Sequence, residues 1–157
     1  MEIDAFLADS VVAADGKLYV QGAGWNIIYA RSFPIRHSRI GVGIIIQVPY
    51  TATNQTHKLE VHIEDSDGQV LPLGDVPPGI ESEDGKIHRL EGEFNVGRPP
   101  LLPAGDEQVV PLAINVDGMV FDRPDRLNVV ISVDGTEMKR LGVRVQPLVQ
   151  SPQPIAR

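Results

Sequence analysis

The sequence of 157 residues contains no cysteine. It therefore offers neither a disulfide framework nor a thiolate zinc site. Basic residues are also few, because 14 Lys and Arg stand against 21 Asp and Glu, which gives a formal net charge of −7. A sequence-independent nucleic-acid binder needs a dense Lys and Arg surface, and an anionic membrane attracts the same kind of surface. We therefore expect neither nucleic acid nor a membrane as a partner.

Long hydrophobic runs are missing as well. No stretch approaches the roughly 20 apolar residues that a membrane-spanning helix requires. Residues 1–5 lack the basic segment and the continuous apolar run of a secretory signal, so we expect a cytoplasmic protein. The length suits one β-sandwich domain, which we place at residues 1–146. Proline is frequent after that point, and we expect residues 147–157 to form an extended or disordered tail.

The clearest pattern that is present lies in residues 39–48. Apolar residues recur there at strict period two: Ile40, Val42, Ile44, Ile46 and Val48. That spacing places all five on one face of a β-strand, whereas a helix would not gather them on one stripe. Gly41, Gly43 and Ile45 fall on the other face. We predict a strand whose first face belongs to the core.

Asp-Gly dipeptides occur five times, in a chain with 15 Gly and 13 Pro. Between apolar runs this dipeptide favours a hairpin, because Asp bonds its own backbone and Gly accepts a positive φ. Side-chain parity predicts a three-residue loop at Ser66-Asp67-Gly68, since only that loop sets Ile63 opposite Leu71. The same loop type, applied at Val133-Asp134-Gly135 and at Ala14-Asp15-Gly16, predicts two more hairpins.

The fold class follows from these hairpins, which join three pairs of segments: 3–13 with 17–28, 57–65 with 69–73, and 127–133 with 137–146. In the last of them Leu127 lies opposite Leu141. Further strands are expected near residues 88–96 and 108–116, and no long helical period is present. We predict an all-β fold, specifically an antiparallel, immunoglobulin-like β-sandwich of eight or nine strands joined by hairpins.

Three stretches of the sequence also match the pattern of a protein family. They are Ala5-Phe6-Leu7-Ala8-Asp9 followed by Leu18-Tyr19-Val20-Gln21-Gly22-Ala23-Gly24-Trp25, then His57-Lys58-Leu59-Glu60-Val61 through Asp67-Gly68, and Val110-Pro111-Leu112-Ala113-Ile114-Asn115 with the Val133-Asp134-Gly135 hairpin. Through them the chain resembles an uncharacterised family of short bacterial β-sandwich proteins, a domain of unknown function. The resemblance spans most of the chain and implies a sandwich. It implies no activity, so no functional residue is transferred.

Catalytic motifs are lacking. The sequence has no Gly-x-Ser-x-Gly elbow, no Cys nucleophile and no Ser in a context that suggests activation by a base. Glu60, His62 and Glu64 alternate on one face of a strand, where neighbours two apart lie about 7 Å from each other. That pattern is typical of a charged outer face, whereas a metal site needs three or four converging ligands. We predict a protein that is not an enzyme and that has no metal site and no cofactor.

One predicted sheet face carries almost no charge. If Gly24 lies opposite Gly41 and Gly22 opposite Gly43, the reverse side of the first three strands is apolar with a floor of glycines. An outer sheet face normally alternates into polar residues. We therefore predict an interface on this face, formed by these residues: Phe6, Val12, Leu18, Val20, Gly22, Gly24, Ile28, Gly41, Gly43 and Ile45.

Two functions stay open at this point. The first is a protein-interaction or structural module that self-associates or joins a larger assembly through this face, because contiguous apolar patches mark interfaces. The Pro-rich loops, the tail or closure into a barrel could instead cover the face within the chain. The alternative is a small-ligand or carbohydrate-binding sandwich, in which loop aromatics provide stacking surfaces: Trp25, Tyr29 and Tyr50. The expected partner is a protein or a second copy, and in the alternative a small molecule.

Overall fold

The computed structural model describes residues 1–149. In that part of the chain the only helix is one 3-10 turn at Tyr50–Ala52. Fourteen strands follow one another there: β1 (Glu2–Ala8), β2 (Ser10–Ala14), β3 (Lys17–Gln21), β4 (Ile27–Ala30), β5 (Ile35–Arg36), β6 (Arg39–Val48), β7 (Thr56–Glu64), β8 (Gly74–Asp75), β9 (Lys86–Ile87), β10 (Leu90–Asn95), β11 (Gln108–Asp117), β12 (Val120–Phe121), β13 (Asp125–Val133) and β14 (Thr136–Pro147). The predicted all-β class is confirmed. The number of strands exceeds the eight or nine expected, partly because four have only two residues.

Two larger sheets contain most of the strands. One has three strands in the order β1-β6-β11, and the other has five in the order β10-β7-β13-β14-β4. Strand pairs are antiparallel in both, except that β4 joins β14 in parallel. Three two-stranded sheets accompany them: β2-β3, β5-β12 and β8-β9.

Both larger sheets contribute to one hydrophobic core. The five alternate residues of β6 that were predicted to face it are all buried, at 0–1% exposure. The β7 and β13 strands add alternate residues to the same cluster, among them Val61, Ile63, Val129 and Ile131. Burial of one such side chain stabilises the fold by about 1.5–3 kcal/mol. The core is thus built largely from residues that alternate at period two along β6, β7 and β13.

The first predicted hairpin forms only in its inner part, where β2 pairs with β3 around a two-residue turn at Asp15-Gly16. Residues 3–13 do not form one strand, because the chain breaks at Asp9 between β1 and β2. The backbone N–H of Asp9 donates to the carbonyl oxygens of Gln21 and Gly22, at 3.0 and 3.2 Å. As a result β2 pairs only with β3, and β1 pairs with β6. Gly41 therefore lies opposite Ala8, and not opposite Gly24 as predicted.

The three Asp-Gly turns divide into two types. At residues 66–68 the predicted three-residue loop is confirmed, with Gly68 at φ +79° and the Leu71 N–H donating to the Ile63 carbonyl at 2.8 Å. The other two are two-residue turns, because both central residues have positive φ, for example Asp134 at 51° and Gly135 at 77°. These are the values of a type I′ turn.

The predicted register of the last hairpin is wrong by two residues, because the shorter turn moves it by one and an irregularity between Ile131 and Ser132 moves it by one more. Val129 lies opposite Leu141, and Leu127 lies opposite Val143 instead of Leu141. This irregularity adjusts the pairing near the turn.

The strand β14 extends to Pro147, and the N–H of Leu148 still donates to the Ala30 carbonyl at 2.8 Å. Most of the predicted tail, residues 150–157, lies outside the described residues.

Candidate functional site

The outer face of the three-stranded sheet holds four of the predicted interface residues: Phe6, Gly41, Gly43 and Ile45. Phe6 pairs with Gly43 across the strands. A Cβ atom at Gly43 would lie 3.1 Å from Cδ2 of Leu18 and would overlap the Phe6 ring. The glycine floor therefore exists, but side chains of the same chain already lie on it.

The hairpin formed by β2 and β3 covers part of this face. It is held by Asn115 on β11, whose Oδ1 accepts the Val11 N–H at 3.1 Å and whose Nδ2 donates to the Val11 carbonyl at 2.8 Å. The Val11 side chain is buried, at 1% exposure. Within residues 1–149, part of the apolar face is thus covered by the chain itself, through the β2–β3 hairpin and not through a Pro-rich loop, the tail or barrel closure.

An apolar surface remains exposed on the hairpin and on β11, and we call it the hairpin–β11 surface. Val12 and Tyr19 lie directly opposite each other, with exposures of 55% and 54%, and Val109 on β11 reaches 64%. Val20, at 39%, lies opposite the buried Val11 on the other face of the hairpin. By strand alternation Val109 shares its face with Pro111, Ala113 and Asn115, the residue that holds the hairpin. Negative charge lies at the opposite edge of the sheet, where Glu2 and Asp4 are exposed on β1.

Other predicted interface residues lie elsewhere. Ile28 belongs to β4 and is 4% exposed within the core, so its placement on the outer face is wrong. Gly22 and Gly24 lie in the connection after β3, with φ values of +61° and +94°. A Cβ at Gly22 would collide with the side chain of Asp9. These two glycines therefore allow the backbone to bend after β3, and they do not form part of a flat sheet face.

The three aromatic residues of the alternative hypothesis are not brought together. Trp25 contacts His37, which precedes β6, with ring centroids 5.9 Å apart. Tyr50 follows the other end of β6, and the Arg98 guanidinium lies 4.1 Å from the centre of its ring. Tyr29 is exposed on β4. The three aromatic residues therefore lie on separate parts of the surface.

The Glu60, His62 and Glu64 side chains form a charge network on β7. The His62 ring lies 3.4 Å from Glu60 and 3.0 Å from Glu64. Each glutamate also binds an arginine: Glu60 binds Arg89, and Glu64 binds Arg140 at 2.7 Å. Hydrogen bonds from His62 and then Arg140 lower the pKa of Glu64. Among residues 1–149, no group of three His, Cys, Asp or Glu is placed to hold a metal ion.

His57 is buried, like His62, with an exposure of 6%. Its Nδ1 lies 2.8 Å from the Asp134 carboxylate, and its Nε2 lies 2.8 Å from the Ala52 carbonyl oxygen. These two hydrogen bonds, the one to Ala52 first, raise the pKa of His57. Because both ring nitrogens are occupied, the ring has no free atom to exchange a proton with a substrate.

A groove of about 330 Å³, which the sequence patterns did not predict, opens on the outer face of the five-stranded sheet. Arg126 on β13 and Arg144 on β14 lie directly opposite each other there. Asn26, Asn128 and Gly142 also line it. The signal that could have revealed it is the register of the β13–β14 hairpin, which the prediction from sequence placed two residues away.

In the described part of the chain no helix is long and apolar enough to cross a membrane. A family model described as a family of unknown function, DUF6941, matches residues 3–146. No curated protein and no solved structure matches the chain. The resemblance to an uncharacterised family is thereby confirmed, and the chain belongs to the family of unknown function DUF6941.

Proposed function

We propose that this chain is a non-enzymatic interaction module that self-associates through the hairpin–β11 surface. The proposal also concerns the fold: the two larger sheets pack against each other as an immunoglobulin-like β-sandwich. This packing is supported by the buried residues of both sheets, which belong to one hydrophobic core. It also includes a cytoplasmic location, which the absence of cysteine favours.

One observation carries the proposal: the directly opposed pair Val12 and Tyr19 on the outer face of the hairpin, and Val109 on β11, all remain exposed. Val12, Tyr19 and Val109 are each more than half exposed. Covering an exposed apolar group in an interface lowers the free energy by about 25 cal/mol per Å² of apolar surface removed from water. A surface with several such groups therefore favours association.

A second copy of the chain is the occupant that we propose for this surface. The protein carries a net charge of −7, so two copies repel each other over most of their surfaces, and contact is least opposed where charge is low. The apolar side chains of the hairpin–β11 surface carry no charge, and Lys17 on the outer face of the hairpin adds a positive one. These apolar side chains are Val12, Tyr19, Val109, Pro111 and Ala113. A two-fold contact places this same patch on both sides and needs no complementary charge.

The test is the mass in solution by light scattering over a concentration series, with a matched pair of variants. Tyr19→Asp changes the proposed surface, whereas Tyr29→Asp changes a tyrosine of equal exposure, 54%, on β4 of the other large sheet. We expect the wild type to form a dimer or higher species, Tyr19→Asp to weaken it by about tenfold or more, and Tyr29→Asp to leave it intact. A monomer at every concentration, or equal effects of the two variants, would overturn the proposal.

Ile45→Asp is a less clean variant, because Ile45 is only partly exposed and pairs with Asp4 and Pro111 inside the sheet. It is informative only if its circular dichroism and urea unfolding match those of the wild type.

A further inference from the structure

The groove on the five-stranded sheet has the shape of a shallow binding site. Its strands run antiparallel, with Asn128 opposite Gly142 next to the Arg126–Arg144 pair. Gly142 has no side chain to fill the space, and a Cβ atom there would contact nothing within 4 Å. The groove measures about 330 Å³, which lies in the range of small-ligand sites.

The charge of the groove is unbalanced. Residues directly opposite on antiparallel strands have Cβ atoms about 5 Å apart, so the two guanidinium groups repel each other. Within residues 1–149 neither arginine has an acidic side chain within 4.0 Å. Arg140 on the same face shows the usual arrangement, since Glu64 and Glu137 hold it at 2.7 and 2.8 Å. A chain rich in acidic residues thus leaves this one arginine pair open.

Two open guanidinium groups side by side suit an oxyanion. Arginine donates in a planar fork that matches carboxylate and phosphate oxygens, and charge-assisted bonds of this kind are the strong ones. The amides of Asn26 and Asn128 stand in the same groove and add neutral donors.

A second groove of about 390 Å³ adjoins the first, because Asn26 and Gly142 line both. Its remaining lining combines the apolar residues Phe6, Leu7, Trp25 and Leu141 with Gly24 and with Arg140, which Glu64 and Glu137 hold. The Nε1 atom of Trp25 is buried and has no hydrogen-bond partner. The indole therefore offers the groove its apolar ring surface and not its N–H group.

We propose that the joined grooves bind a small organic anion. Its phosphate or carboxylate group lies between Arg126 and Arg144, and its apolar or aromatic body extends over Gly142 towards Trp25. This proposal does not depend on self-association, because the residues changed in the two sets of variants are different.

The test uses the intact chain, whose single tryptophan is Trp25, so that its fluorescence reports on the site itself. Phenyl phosphate, phenylacetate and inorganic phosphate are titrated at low salt, and calorimetry measures each affinity. We expect saturable binding of an aromatic anion with a change in Trp25 emission, and weaker binding of inorganic phosphate. The order of phenyl phosphate and phenylacetate then assigns the anionic group as phosphate or carboxylate.

Variants separate the site from general charge effects. Arg126→Gln and Arg144→Gln should each weaken binding by about tenfold or more, since each removes a charge-assisted bond. Gly142→Val keeps both charges and fills the groove, so it should weaken the aromatic anions more than inorganic phosphate. Arg123→Gln removes the same charge outside the groove and should change affinity less than about twofold.

Three results would overturn the proposal. Absence of saturable binding for all three probes would reject the site. If Arg123→Gln and Arg126→Gln lowered the affinity for the probes equally, the binding would depend on the net charge of the protein and not on the groove. Equal affinities for phenyl phosphate and inorganic phosphate, with no change in Trp25 emission, would reject the part assigned to the second groove.

Discussion

Asp134 holds His57 across the fold. Its Oδ2 atom lies 2.8 Å from Nδ1 of His57, and its Oδ1 atom accepts the Lys58 N–H at 2.9 Å. The other ring nitrogen of His57 lies 2.8 Å from the Ala52 carbonyl oxygen. Both ring nitrogens thus face acceptors, and both are satisfied only when the ring carries two protons. The contact ties the β13–β14 turn to the start of β7.

The first prediction concerns the pH dependence of stability. Hydrogen bonds to Ala52 and then Asp134 raise the pKa of His57. Its stabilisation is therefore complete below the unfolded-state pKa of about 6.5 and is lost as pH rises through the higher folded-state pKa. Hydrogen bonds from His57 and then Lys58 lower the pKa of Asp134. Its contribution is present above about pH 3.9 and is lost as pH falls through the lower folded-state pKa.

The pair should therefore stabilise the fold most between about pH 4 and about pH 6.5. Urea unfolding of the wild type and of His57→Gln, at about pH 5, 6.5 and 8, measures this contribution. We expect the difference in unfolding free energy to shrink as pH rises. His88→Gln is the control, because the His88 pair with Asp84 is exposed. A difference for His57→Gln that stays constant over this range would contradict the prediction.

The same contact explains why the sequence predicted some turns and not others. Asp-Gly suits both a two-residue type I′ turn and a three-residue loop, so local sequence does not decide between them. At Gly68 the alternation of the flanking apolar residues was sufficient to predict the three-residue loop. At Asp134 the positive φ coexists with bonds to His57 and Lys58, which lie 77 and 76 residues away in the chain. Those partners could not be identified from local patterns.

The wrong turn and the unpredicted irregularity at Ile131 and Ser132 together concealed the arginine pair. The predicted register, which set Leu127 opposite Leu141, places Arg126 opposite Gly142. The observed register places it opposite Arg144. The period-two pattern predicts which face of the sheet a residue occupies, and for β6 that prediction was correct. It does not predict which residue lies opposite on the neighbouring strand, because that depends on the turn and on irregularities in the pairing.

The second prediction tests the attachment of the hairpin. Asn115→Ala removes both hydrogen bonds to Val11 and should lower the unfolding free energy by about 1–2 kcal/mol. The amide of Val11 loses its acceptor, so its hydrogen exchange should accelerate more than that of the central β6 amides. Asn95→Ala is the matched control, because the Asn95 amide makes only a 3.5 Å contact with Thr56. Equal effects of the two substitutions would contradict the role given to Asn115.

The third prediction concerns the floor of the three-stranded sheet. Gly43→Val should destabilise the protein by about 1–3 kcal/mol, because its Cβ would overlap the Phe6 ring. Gly92→Val on β10 is the control, since nothing lies within 4 Å of a Cβ there. We expect its effect to stay within about 0.5 kcal/mol. Urea unfolding should also show that Phe6→Ala and Gly43→Val together cost less than the sum of the two; strict additivity would argue against their contact.

The fourth prediction follows from the repulsion between Arg126 and Arg144. Without a bound anion, Arg126→Gln should raise the unfolding free energy at low salt by a few tenths to about 1 kcal/mol, because like charges directly opposite on a sheet are destabilising. About 0.5 M NaCl should remove most of that gain by screening. Arg123→Gln should show no gain, since its nearest carboxylates lie 3.9 and 4.0 Å away and offer slight attraction. A loss of stability for Arg126→Gln at low salt would show that the wild-type pair is already compensated, and hence that the groove is not open to an anion.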